Sequence, residues 1–286
     1  MSRHVLRSAP DGQVAVDVTP QSAGWGFSGL RVLRLTAGES YAAATADTEV
    51  LVVALSGSCR VRCGTDALVV AGRPDVFAGP SDFVYVPRDQ DFEVTSDDGG
   101  RFALASARCD RVLPFRHQPA AEVPVELRGA GNASRQVHNL CLPDTFEADR
   151  LLVCEVLTPS GNWSSYPPHK HDEQREGESA LEEIYYFEVA EGPHGPGIGY
   201  QRVYGHADAE IDELAEVRTG DVVLIPHGWH GPSMAAPGYD LYYLNVMAGP
   251  GTERAWLISD DPQHAWVRDT WASQEIDPRL PMGGPR

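Results

Sequence analysis

Apolar residues along this chain fall into short runs rich in Val, Ile, Tyr and Phe, each closed by Gly, Pro, Asp or Ser. EVLVVALSG, CRVRCG, DFVYVPRD and RFALASA succeed one another in the first half, and LLVCEVLTP, EEIYYFEVA, GYQRVYG, DVVLIPHG and YDLYYLNVMAG in the second. Runs of this length between turn signals predict the strands of an all-β sandwich or barrel. Sustained helical periodicity is nearly absent. Residues 116–136, RHQPAAEVPVELRGAGNASRQ, are rich in Pro, Ala and Gly and read as a connector between two β units. An N-terminal barrel is therefore expected over residues 1–115 and a second over 137–259. Residues 260–286, Pro-rich and aromatic, are expected to form an arm packed on a neighbouring surface. The halves echo each other faintly: a turn and then a strand ending in Pro, DFVYVPRD in one and DVVLIPHGWH in the other, as a duplicated hairpin barrel would give.

A length of 286 residues suits one large β domain or two of ordinary size. Twenty-three Lys and Arg against 41 Asp and Glu leave a net charge of −18, which repels phosphate backbones and anionic lipid surfaces. Neither nucleic acid nor a membrane is an expected partner. An anionic small molecule could bind only where a local Arg or Lys overcomes that field. Cys59, Cys63, Cys109, Cys141 and Cys154 are an odd count without paired spacing, as expected of buried free thiols in a reducing cytosol. The N-terminus has no apolar leader core, and the longest apolar run, VLVVAL at 50–55, is too short to span a bilayer. These features point to a cytoplasmic protein.

Candidate chemistry concentrates in the second half. In YPPHKHDEQ, His169 and His171 are separated by one residue, so on an extended strand both face one side and Lys170 the other. In EEIYYFEV the same alternation puts Glu183, Tyr185 and Phe187 on one face and Glu182, Ile184 and Tyr186 on the opposite one. An inward carboxylate among aromatic rings needs a cation or hydrogen bonds to offset its burial. GDVVLIPHGWH then delivers His230 after a Pro-Gly turn. Three imidazoles and a carboxylate suit Zn, Mn, Fe, Ni or Co, with positions left for water or substrate. His227 is read as turn-exposed, and His138, His194, His206 and His264 have no partner spacing. Tyr200, Arg202 and Tyr204 alternate onto one face, where an inward Arg would clamp a carboxylate in bidentate fashion.

HxH followed by Glu, and later G-x5-P-x-G-x-H, resembles the paired motifs of the cupin superfamily, each carried on a hairpin of a small barrel. Two departures stand out. The gap from His171 to Glu183 is long and implies an inserted loop, DEQREGESALE, and His230 follows Gly228 after one residue instead of two. Glu173 and Glu182 are therefore alternative ligand carboxylates. Further stretches, GNWSSYPPHKHD, LEEIYYFEV, QRVYG, GDVVLIPHGWH and YYLNVMAGP, with GRPDVFAGPSDFVYVPRD in the first half, resemble the 5-deoxy-glucuronate isomerase family of bacterial inositol catabolism, grouped with the uronate ketol-isomerases of pectin breakdown. That resemblance spans nearly the whole chain. It implies a bicupin, two jelly-roll barrels in tandem, with one divalent ion in the second. Carried onto this chain it puts His169, His171, Glu183 and His230 at the metal-ligand positions. It further implies conversion of 5-deoxy-D-glucuronate, an aldose acid, to the ketose acid 5-dehydro-2-deoxy-D-gluconate.

Such an isomerisation moves a proton through an enediol, or a hydride directly, while a metal polarises the carbonyl. Zinc is the first expectation for the ion, with manganese or iron next. Glu182, Tyr185, Tyr243 and His227 are the candidate acid-base groups, with Tyr185 or Tyr243 expected to protonate oxygen. Arg202, with Lys170 and Arg254 behind it, is the expected counter-charge for the sugar acid. Two rivals share the ligand set: an Fe(II) dioxygenase, and a module that binds a sugar acid without turning it over. The first barrel, lacking HxH, is expected to hold no metal and to serve structure or the assembly of a homo-oligomer.

Overall fold

The computed structural model describes residues 2–8, 12–206 and 209–283. Its described strands form three sheets. In the first half a single nine-stranded sheet curls on itself around one long strand, Thr48–Cys63. The front of that strand pairs with Phe83–Val86 and Gly100–Arg108, and its back with Asp66–Arg73 and Asp91–Thr95. Two apolar runs that look separate in sequence are thus one bent strand. The bend passes through Gly57 at φ 80°, where a Cβ would stand 2.4 Å from the Gly99 carbonyl oxygen, so only glycine fits.

The second half is a sandwich of two sheets. One is seven-stranded and carries Glu182–Val189 and Leu241–Ala248 at its centre; the other, six-stranded, carries Gly199–His206, Trp229–Ala235 and His169–Lys170. Alternation along the central strands is as expected, but neither face is wet. Tyr185, Phe187, Leu241 and Tyr243 fill the interior between the two sheets. Ile184, Tyr186, Tyr242 and Leu244 press instead against Leu30, Leu51, Phe83 and Tyr85 of the first half. A third core, including Leu33, Val52, Val61 and Phe102, fills the first barrel itself. The chain is an all-β bicupin with a middle core shared by its two barrels. Truncating one large side chain of such a core costs roughly 3–5 kcal/mol.

Four carboxylates stitch the halves together. Glu182 accepts the backbone N–H groups of Gly26, Phe27 and Ser28 at 2.6, 2.9 and 2.9 Å. Glu49 accepts those of Asp149, Arg150 and Leu151. Glu155, fully buried, pairs with Arg73 of the first half and with His138 at 2.9 Å, and Glu188 pairs with Arg101.

The expected boundaries at 115, 136 and 259 are crossed by pairing. Val5–Leu6 adds an edge strand to the seven-stranded sheet of the second half. The expected connector contributes Arg116–Gln118 to the first barrel and Val125–Arg128 to the second. The arm folds back on the second barrel, where Ser259–Asp260 pairs with His169–Lys170. All five cysteines are buried free thiols. No helix among the described residues is long and apolar enough to cross a membrane.

Candidate metal centre and active-site pocket

Strand pairing assembles the histidine cluster. His169 lies directly across the sheet from His230, with ring centroids 4.4 Å apart, and His171 follows on the same strand face. The long insertion after His171 folds back on itself: Arg175 and Glu178 close a bridge, and Lys170 Nζ binds Asp172 and Glu178, each at 2.7 Å. The chain rejoins where the Leu181 N–H donates to the His171 carbonyl at 2.8 Å, which delivers Glu183 beside the imidazoles. Glu183 Oε2 lies 3.0 Å from His171 Nε2 and 3.1 Å from His230 Nε2. One ligand atom from each of His171, Glu183 and His230 falls within 4.8 Å of the others, and all three residues are buried. His169 stands beside this trio, on the wall of the adjoining cavity.

The electrostatics suit a cation. Burial disfavours charge on Glu183, yet the two histidines outweigh it and hold the carboxyl down at about 2. Burial likewise opposes a proton on His171, but Glu183 raises its affinity above the ordinary value; His169, buried and facing two other imidazoles, is pushed well below it. Each of two rings has its far nitrogen near a backbone carbonyl: His171 Nδ1 to Leu181 at 3.3 Å and His230 Nδ1 to Gly228 at 3.2 Å. Donation there turns the Nε2 lone pairs toward Glu183, the arrangement metal-ligating histidines use. His230 Nε2 is fully buried and has no hydrogen bond of acceptable geometry among the described residues, although Glu183 is near. An orphaned buried nitrogen of this kind fits a site for a divalent ion.

Beside the cluster opens a cavity of about 470 Å³. Tyr185 and Tyr243 stand on its wall with rings 4.9 Å apart, and both hydroxyls bond Ser165 Oγ, at 3.0 and 3.1 Å. Burial raises both phenols, Tyr243 to about 12 and Tyr185 well above its ordinary value, so at neutral pH they are donors. Asn245, Trp256 and Trp271 also line the cavity, and the side-chain N–H groups of all three are buried without a hydrogen-bond partner among the described residues.

Several expected site residues lie elsewhere. Glu182 faces away from the cavity, as the alternation requires, and grips residues 26–28 of the first barrel. Glu173 sits half-exposed in the insertion against Lys170 and Arg175. Lys170 is buried on the face opposite the histidines, neutralised by Asp172 and Glu178 and set against the Trp229 ring. Arg202 points outward to Asp212 at 2.5 Å; the inward residues of its strand are Gln201 and Val203, so no carboxylate clamp forms there. Arg254 donates to the carbonyls of Leu151, Phe146 and Cys141, ordering a turn. His227 is half-buried. The arginines that do line the cavity, Arg128, Arg135 and Arg268, fall in the expected connector and arm. Arg128 and Arg135 have no local sequence signal, and Arg268 has only Trp271 three residues on.

The family model for the KduI/IolB family matches residues 3–267. The chain belongs to the KduI/IolB family. Among curated KduI/IolB relatives, the 5-deoxy-glucuronate isomerase of Geobacillus thermodenitrificans is 45% identical over 278 residues, 94% of this chain and 97% of that one. The same-named enzyme of Bacillus subtilis strain 168 is 40% identical over 255 residues, 88% of this chain and 91% of that one. An IolB-like protein from Salmonella typhimurium superposes with a TM-score of 0.85 at 37% identity, covering 92% of this chain and 98% of that one. Oxalate decarboxylase from Lactobacillus farciminis shares the fold alone, with a TM-score of 0.63 at 12% identity, over 91% of this chain and 89% of that one.

Proposed function

We propose that this chain is a metal-dependent aldose-ketose isomerase that converts 5-deoxy-D-glucuronate to 5-dehydro-2-deoxy-D-gluconate in the cytoplasm, within myo-inositol catabolism. The observation that carries the reading is the convergence of His171, Glu183 and His230, with His169 alongside, at the edge of a cavity lined by hydrogen-bond donors. The names of the curated relatives support the substrate. His169, His171, Glu183 and His230 would hold the ion, and zinc suits their mixed nitrogen and oxygen donors, with manganese and iron as its competitors. When bound, a divalent ion supplies Lewis acidity that polarises the sugar carbonyl and its neighbouring hydroxyl.

The remaining work falls to the chain. Tyr185 and Tyr243, kept protonated by burial and oriented by Ser165, donate to the oxygen that gains electron density as the aldehyde is reduced. Asn245 adds a free N–H on the same strand face as Tyr243. The deciding experiment combines elemental analysis with an assay of the uronate in deuterated water. The expectation is one equivalent of a first-row divalent ion and ketose formation without oxygen uptake. Deuterium at the carbon that gains hydrogen marks proton transfer, and its absence a shielded or hydride route. Metal-bearing protein that leaves the aldose unchanged refutes the reading.

A further inference from the structure

An acidic protein that takes an acidic sugar needs a local cation, and the outward course of Arg202 leaves that role open. Three arginines line the cavity. Arg128 already binds Glu126 at 2.8 Å, and Arg268 binds Asp260 at 2.7 Å. Arg135 differs: among the described residues it has no carboxylate within ion-pair distance, and its guanidinium donates to the Ala133 carbonyl at 3.2 Å. It is only 8% exposed. A buried guanidinium without a counter-ion is costly. The cost is compounded by register, because Arg128 and Arg135 are direct cross-strand partners, both reaching the cavity, and like charges in that relation repel.

The surroundings favour an anion with several acceptor atoms. The buried N–H groups of Asn245, Trp256 and Trp271 lack acceptors among the described residues, and all three residues line the same cavity. Arg135 packs against Trp271 with its guanidinium carbon 5.6 Å from the ring centre, and both residues line the cavity. Burial and the charges of Arg128 and Arg268 push Arg135 down to about 10, so it stays a cation at neutral pH. His169 and Tyr243 line the same cavity as Arg135.

We infer that Arg135 binds the substrate carboxylate and so selects sugar acids over neutral sugars, orienting the aldehyde end toward the histidine cluster. This rests on the isomerase reading above. Arg128 and Arg268 are each paired with their own carboxylate, which leaves Arg135 as the clamp.

The test uses full-length, metal-loaded protein and two aldoses: 5-deoxy-D-glucuronate and its counterpart with a primary alcohol in place of the carboxylate. Arg135→Gln is expected to raise KM for the uronate roughly ten- to a hundredfold. Metal content should hold, and the preference for the uronate over the alcohol should disappear. Arg135→Lys, which keeps the charge but not the fork, should lose less. If both variants fold and keep wild-type KM and preference, the inference falls. It also falls if KM rises equally for both sugars, which marks a packing role. If Arg135→Gln does not fold, Arg135→Lys carries the test alone, and an unchanged uronate preference overturns the assignment. Calorimetric titration of each protein with D-glucuronate reads carboxylate binding without turnover. An inactive wild type that binds the uronate through Arg135 therefore refutes the isomerase reading and leaves the clamp standing.

Discussion

Glu182 sits next to the candidate ligand Glu183 in sequence, yet its own carboxylate clasps the first barrel, and replacing it separates architecture from chemistry. Three backbone N–H groups and, at 3.3 Å, Ser28 Oγ converge on it. At this partly exposed site each backbone donor contributes about 1 kcal/mol, so Glu182→Ala should destabilise the protein by about 3 kcal/mol. For 286 residues the unfolding entropy is about 0.6 kcal/mol per kelvin, from roughly 2 cal/mol/K per residue, which makes the expected fall in Tm about 5 °C. Glu182→Gln keeps one acceptor oxygen and should lose about half as much. Differential scanning calorimetry measures both shifts. Turnover of metal-loaded variants, assayed well below Tm, should stay within about threefold of wild type, because no atom of Glu182 is needed at the cavity. A loss beyond a hundredfold at unchanged Tm would refute the clasp and restore Glu182 as an acid-base group.

Other outcomes follow from the same geometry. His171→Ala should abolish metal retention by elemental analysis and reduce kcat/KM by more than a thousandfold with near-normal circular dichroism, since one of the proposed donors is gone. Arg202→Ala should leave KM within twofold of wild type, because Arg202 faces Asp212 outside the cavity. Glu155 is held near 2 against an ordinary 4.5: burial opposes its charge, while Arg73 and His138 outweigh that effect. A depressed carboxylate stabilises above its unfolded value and loses that contribution as pH falls, so about 3 kcal/mol should vanish between pH 4.5 and 2. Denaturant titrations across that range check it, and stability that is flat there argues against the pairing.

Much of the centre was legible because strand alternation is a local rule. His169 and His171 share a face through Lys170, Glu183 and Tyr185 share one through Ile184, and the Pro-Gly turn announced His230. What stayed hidden depends on which strand lies beside which. The alternation of Tyr200, Arg202 and Tyr204 is real, but inward and outward were exchanged: Gln201 and Val203 turn in, and the fully buried Gln201 sits against Ser233. Gly, Ala and Asn around Arg135 looked like linker, whereas Arg135–Cys141 pairs with Val125–Arg128 and walls the cavity. Glu182 reads as a ligand candidate until the first barrel supplies three amides for it. The insertion's purpose was equally invisible, since Lys170 meets Glu178 only after the loop closes.

Because the seven-stranded sheet presses oily side chains outward as well as inward, the metal-carrying half has no finished exterior on that side. Cut free of its neighbour, it would bare Ile184, Tyr186, Tyr242, Leu244 and Val246 as one contiguous slab and would be driven to stick to copies of itself. The first barrel is in that sense the missing outer wall of the one with the histidine cluster, and the two must travel together in any working fragment.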